Sequence, residues 1–292
     1  MHAFSNSINI MFKRRSIWLS FGFVMLGIGI INFYNPLYAF IFGLGGIDFS
    51  NIVNFLNLLT HFISSPVSIV KTILILIGVI LAVSFICSIF FSGSFNAINK
   101  AMEGRQKAPG EFSEGLKKYY FKTVFVTFRV LFFGILFLLF LMVVSVPAIA
   151  ITKAWLSGKA GLMASALILD LITVLVLFFL VIFFTTYVLF WFPASVNSGK
   201  KSFSYGKHVA DTMFWKIAGR VVLIGLVFIV YQGLLLAADR ILLGTNPDAT
   251  FISIVLFVIN WSLNTVFSSF LATYVFYIFK YITANRHNRV AA

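Results

Sequence analysis

Six uncharged runs constrain this chain more than any other feature: Ile17 to Phe33, Thr72 to Ser92, Val130 to Ile151, Leu171 to Phe192, Val221 to Ala238 and Phe251 to Phe279. Each is near the ~20 residues needed to cross the hydrocarbon core of a bilayer as a helix. Lipid offers backbone amides no hydrogen-bond partners, so such runs must bond internally, and they lack the alternation of a barrel strand. Composition agrees: 61% of the 292 residues are hydrophobic, 10% are charged and 37 are Phe, too little polar surface for a soluble domain. The expected fold is an all-α integral membrane protein with about six transmembrane helices. The spans fall near 17–42, 72–92, 124–151, 162–192, 217–238 and 251–279, within a single polytopic domain covering 1–292.

The first run follows Lys13, Arg14 and Arg15, as a secretory signal would, but no small-x-small cleavage site follows it and it reads as a span. Cys87, the single cysteine, lies in the second run, can form no internal disulfide and reads as a small apolar helix residue.

The net charge of +14 matters less than its distribution. Eighteen of the 22 Lys and Arg fall on one side of the six spans: before the first, between the second and third, between the fourth and fifth, and after the sixth. Lys71, Lys153, Lys159 and Arg240 fall on the other. Because basic loops stay in the cytoplasm, both termini are expected there, in a bacterial-type plasma membrane. The basic side suits anionic lipid headgroups or an acidic partner, although topology alone produces the same bias; nucleic acid is not expected.

Two segments repeat. Phe112, Ser113, Gly115, Arg129, Val130, Gly134 and Phe137 recur as Phe203, Ser204, Gly206, Arg220, Val221, Gly225 and Phe228 at a constant offset of 91. Upstream, Phe91, Ser94, Asn96 and Lys100 recur as Phe192, Ser195, Asn197 and Lys201 at an offset of 101, the second copy having a shorter loop. Spans two and three thus read as a hairpin repeated in parallel as spans four and five. Short interfacial amphipathic helices are expected around them. One is formed by Phe112, Leu116 and Tyr119 ahead of span three, one by Phe4, Ile8 and Met11 ahead of span one, and one by residues 49–63, where His61 reads as a wetted surface residue rather than a metal ligand. Phe95, Ile98 and Met102 continue span two past the bilayer as one helical face, with Pro109 and Gly110 as the break. If the N-terminal helix follows this scheme, spans six and one supply a third, chain-broken hairpin.

Few residues offer chemistry. Arg129 and Arg220, at matching repeat positions, can grip a lipid phosphate or other anion bidentately, or simply end their spans by snorkelling. Lys100 and Lys201 join them as candidate anion ligands. Asn260, Asn264 and Ser268 form a polar stripe in span six, read first as interhelical hydrogen bonding and second, with Asp170, as an intramembrane polar path. Asp170 lies either within the bilayer or at its outer interface. No phosphate-binding loop, nucleophile elbow or metal-spaced His/Cys cluster occurs, and no catalytic residue or cofactor is expected.

The sequence Asn96-x-x-x-Lys100, then Phe112-Ser113-x-Gly115 before a Phe-rich span, and a last span ending Tyr274-Val275-Phe276-Tyr277-Ile278-Phe279-Lys280-Tyr281, resembles a group of poorly characterised bacterial six-span membrane proteins. These are similar to the membrane domain attached to some glycerophosphodiester phosphodiesterases. The resemblance implies a six-helix bundle of repeated hairpins and carries over no catalytic residues, because the hydrolytic part of those enzymes is a separate domain. The expected function is non-enzymatic binding or organisation of anionic lipid or a membrane partner. The alternative is a transporter or permease subunit for a small solute.

Overall fold

The computed structural model describes residues 2–34, 66–158, 160–197, 202–243 and 249–290, and these are helical throughout apart from short turns. The helices are α1 (His2–Lys13), α2 (Arg15–Tyr34), α3 (Pro66–Met102), α4 (Glu111–Leu156), α5 (Met163–Leu189), α6 (Trp191–Asn197), α7 (Ser202–Thr212), α8 (Phe214–Leu243) and α9 (Ala249–Val290). Among the described residues five helical stretches are long and apolar enough to cross a membrane: Leu76–Met102, Glu111–Leu156, Met163–Asn197, Phe214–Asp239 and Phe251–Ala284. They fall on the second to sixth expected spans. The first expected span begins within α2, whose apolar stretch Arg15–Ile30 is shorter than a full crossing, and its remainder beyond Tyr34 lies outside the described residues, as do the expected interfacial helix at 49–63 and His61.

In the apolar windows of Glu111–Leu156 and Phe214–Asp239, 0% of the residues are buried by protein. Leu138, Leu139, Val143, Leu223, Val227 and Leu234 stand exposed there. Apolar surface on this scale needs a hydrocarbon solvent, and the chain is a multi-pass membrane protein.

The chain forms two compact units. The first comprises Met1–Ile30, Phe85–Val126 and Thr185–Ala292. Its centre is α9 from Thr273 to Phe279, where every residue but Tyr277 is buried. Val275, Ile278, Phe279 and Ile282, at helical spacing, meet Phe190, Ala194, Val209 and Ile217. On another face, Phe276 joins Ile17, Phe21, Phe95, Ile98 and Tyr119. The side of α2 toward α9 carries glycine: Trp261 Nε1 donates to the Gly22 carbonyl at 2.8 Å, and a Cβ on Gly29 would meet the Phe257 ring at 3.0 Å.

The second unit comprises Ile31–Ser84 and Thr127–Phe184. There α4 and α5 meet through the stacked rings of Phe137 and Phe184, 4.2 Å between centroids, and through Thr152 and Asp170.

One expected interfacial helix takes another form. Residues 112–119 are the opening turns of α4, unbroken from Glu111 into the span, because Tyr119, Thr123, Val124 and Val126 continue a buried face with no breaker between them. α1 is a separate short helix packed on α9: Met11 is buried, Ile8 is half-buried, and the Phe4 ring, though largely exposed, lies 4.8 Å from that of Phe270, with Ser7 and the following Arg14 buried beside them. Ser7 offsets its burial by donating to the Ala3 carbonyl at 2.7 Å.

Candidate functional site

The largest concentration of charge lies in the first unit, where α3 ends and α4 begins. The end of α3 is a glycine-terminated turn: Gly104 takes φ +71°, its N–H reaches the Ala101 carbonyl at 3.1 Å, and the Arg105 N–H reaches Lys100 at 3.2 Å. Any side chain would be strained at that φ, and both bonds satisfy carbonyls that the helix end leaves open. The turn also presents the Arg105 carbonyl, which accepts from Arg14 Nη2 at 2.6 Å.

Arg14 sits in the one-residue break between α1 and α2, and its other guanidinium nitrogen is ion-paired with Glu111, the first residue of α4. The two side chains are only 5% and 6% exposed, so this charge pair has left solvent. Its remaining needs are met locally: Glu111 Oε1 accepts from the Ala108 N–H at 3.1 Å, and the negative side chain at a helix N-terminus is favourably placed. The Asn96 amide donates to the Glu111 carbonyl at 2.7 Å, tying α3 to the same point. Around this pair, Lys100 is bonded to Glu114, and Glu103 meets both Arg105 at 3.0 Å and Lys280 at 3.4 Å. Every glutamate of the chain is therefore engaged by a cation. In the sequence Arg14 is one of a basic triplet, Lys13 to Arg15, that does not reveal its partner, although a Pro109-Gly110-Glu111 helix start is a signal that Glu111 opens a helix.

Two glycines allow the helix starts to approach. A Cβ on Gly115 would lie 2.6 Å from Asn96 Cβ, 2.7 Å from the Ser92 carbonyl and 3.0 Å from Gly93 Cα. A Cβ on Gly206, 91 residues further on, would lie 3.0 Å from the Phe190 carbonyl and 3.4 Å from Ala194 Cβ.

Of the candidate anion ligands, Lys100 is taken up by Glu114. Arg220, in the first unit, is exposed and, among the described residues, has no carboxylate within ion-pair distance. Arg129 is exposed and belongs to the second unit. Lys201 lies outside the described residues.

The candidate polar path divides. Asn260 and Asn264 of α9 join Tyr231 and Gln232 of α8: Gln232 Nε2 lies 3.1 Å from Tyr231 Oη and 3.2 Å from both Asn260 Oδ1 and Asn264 Oδ1, Asn264 donates to Asn260 at 2.7 Å, and Tyr231 bonds Asn264. The stripe is thus spent largely on an α8–α9 clamp. Gln232→Leu is expected to lower stability by roughly 0.6–2 kcal/mol, the range for interhelical side-chain bonds in lipid, read by thermal unfolding in detergent. Ser268 lies further along α9, and Asp170 belongs to the second unit, where it accepts from Thr152 Oγ1 at 2.8 Å. Among the described residues no group of three His, Cys, Asp or Glu side chains is placed to hold a metal ion. No family model, curated protein or solved structure matches the chain.

Proposed function

We propose that the chain is a non-enzymatic six-span protein of a bacterial-type cytoplasmic membrane, with both termini inside, that binds or organises anionic lipid or a membrane partner through its basic inner side. The observation that carries this reading is an imbalance of charge. On that side Glu103, Glu111 and Glu114 are committed to Arg14, Lys100, Arg105 and Lys280, and Asp211 is bonded by Tyr187. Lys117, Lys207, Lys216 and Arg220 remain exposed with no carboxylate partner among the described residues, and Lys118 and Lys122 lie over the Tyr119 ring. An exposed excess of cations beside apolar helices attracts phosphate headgroups, by about 1 kcal/mol for each basic residue near an anionic surface.

Repetition of the hairpin supports a shared task for Arg129 and Arg220. Gly115 faces Gly93 just as Gly206 faces Ala194, the partner positions again 101 apart. The packing of α1 and α2 on α9 fits a third, chain-broken hairpin. The alternative, a solute transporter, has less support, because the carboxamides of α9 are occupied by α8.

Native mass spectrometry of protein released from nanodiscs of mixed phosphatidylglycerol and phosphatidylcholine is expected to retain phosphatidylglycerol selectively. Arg129→Ala combined with Arg220→Ala should reduce that selectivity. Equal retention of both lipids, or retention indifferent to the double substitution, refutes the reading.

A further inference from the structure

The first unit contains a cavity of about 240 Å³ among α2, α3, α5, α6, α8 and α9. Its wall is aromatic, with Phe21, Phe91, Phe192 and Phe228 contributing rings, and Ser268 is the one residue with a polar side chain among those lining it. We propose that this cavity binds a single hydrocarbon tail of a membrane lipid.

Three observations select that occupant. The wall rings brace one another: Phe21 on Phe91 at 5.5 Å, Phe91 on Phe192 at 6.1 Å and Phe228 on Phe267 at 4.9 Å. Rings held on both sides do not collapse into the space as an unbranched side chain would, so the space is part of the packing. The wall offers almost nothing to hydrogen-bond, which disfavours a peptide or polar solute whose groups would be left unsatisfied, and suits a methylene chain that has none. The α9 residues lining the cavity run from Phe267 to Phe276, about 13 Å at the helical rise, a length that an extended methylene chain can follow. Apart from α2, the stretches that build the cavity are long and apolar enough to cross a membrane, so hydrocarbon is the solvent at hand.

Beyond the α3 and α9 walls stand Lys100 and Lys280, which are already paired with Glu114 and Glu103, so the tail site rests on the apolar wall and not on charge. The inference rests on the proposed role in lipid binding but adds a tail site, which does not require a preference between headgroups.

The test uses the full chain in nanodiscs carrying phosphatidylcholine or phosphatidylglycerol with a diazirine at the middle of one acyl chain. Photolysis and peptide mapping should place label on α3, α6 and α9 at Phe91, Phe192 and Leu271 with both lipids. Ala272→Phe, which adds a ring to the cavity wall, should cut that label by about tenfold while leaving label on outward residues such as Val227 unchanged. Label confined to outward residues in the unaltered protein overturns the tail site, and this outcome needs no variant to fold. Cavity label with both lipids but no selective retention of phosphatidylglycerol keeps the tail site while refuting the headgroup reading; selective lipid retention without cavity label does the reverse.

Discussion

Glu111→Ala is expected to destabilise the protein by about 3–5 kcal/mol, the range found when one partner of a buried ion pair is removed. The loss exceeds the worth of the bond itself. With Glu111 gone, the Arg14 guanidinium stays 95% covered, held by one carbonyl and opposed by no charge. Removing both charges with residues of similar volume, Arg14→Met with Glu111→Leu, should recover most of the loss, because replacing a buried pair with apolar contacts is often neutral or stabilising. Thermal and denaturant unfolding in a mild detergent would read the series. Glu114→Ala provides the contrast: that carboxylate is exposed, solvent screens its bond to Lys100, and its removal should have a much smaller effect. Equal effects for Glu111→Ala and Glu114→Ala would show that burial of the Arg14 pair carries no special energetic weight.

The second large effect is expected at Gly115. An alanine there places its methyl carbon against backbone, the Ser92 carbonyl at 2.7 Å and Gly93 Cα at 3.0 Å, and backbone within a helix cannot swing aside as a side-chain tip can. The opening of α4 must then move off α3, which strains the Asn96 bond to Glu111 and the Arg14 pair beside it. The expected cost is about 1–3 kcal/mol, as for overpacked cores. Gly206→Ala should cost less, since its nearest contact is 3.0 Å and the next are 3.3 Å or more. Reversal of that order in unfolding midpoints would contradict the contact geometry.

The parts of this molecule legible in sequence are those decided over one helix length. Uncharged runs locate five crossings, because a lipid-embedded backbone must complete its hydrogen bonds within about one span. The continuation of span two through Phe95, Ile98 and Met102 was equally visible, since all three share a face of α3 that packs into the core. The form of residues 112–119 was not. Polar residues beside an apolar stripe describe both an interfacial helix and the buried opening of a longer one, and only the helix they meet distinguishes these. The polar stripe of Asn260 and Asn264 was visible as polar and ambiguous in purpose, because its partners Tyr231 and Gln232 lie on another helix.

The sequence by itself determined the solvent of this protein, the helical class and the asymmetry of its charge, properties that follow from composition and spacing along one strand of chain. Only the tertiary structure decided which charges are spent and which are left. Arg14 and Glu111 stand 97 residues apart, and nothing in a run of basic residues marks the one that will be buried. Pairing depends on which helix ends are brought together, and that is set by close approaches such as Gly115 on Gly93, where the absence of a side chain matters as much as the presence of one.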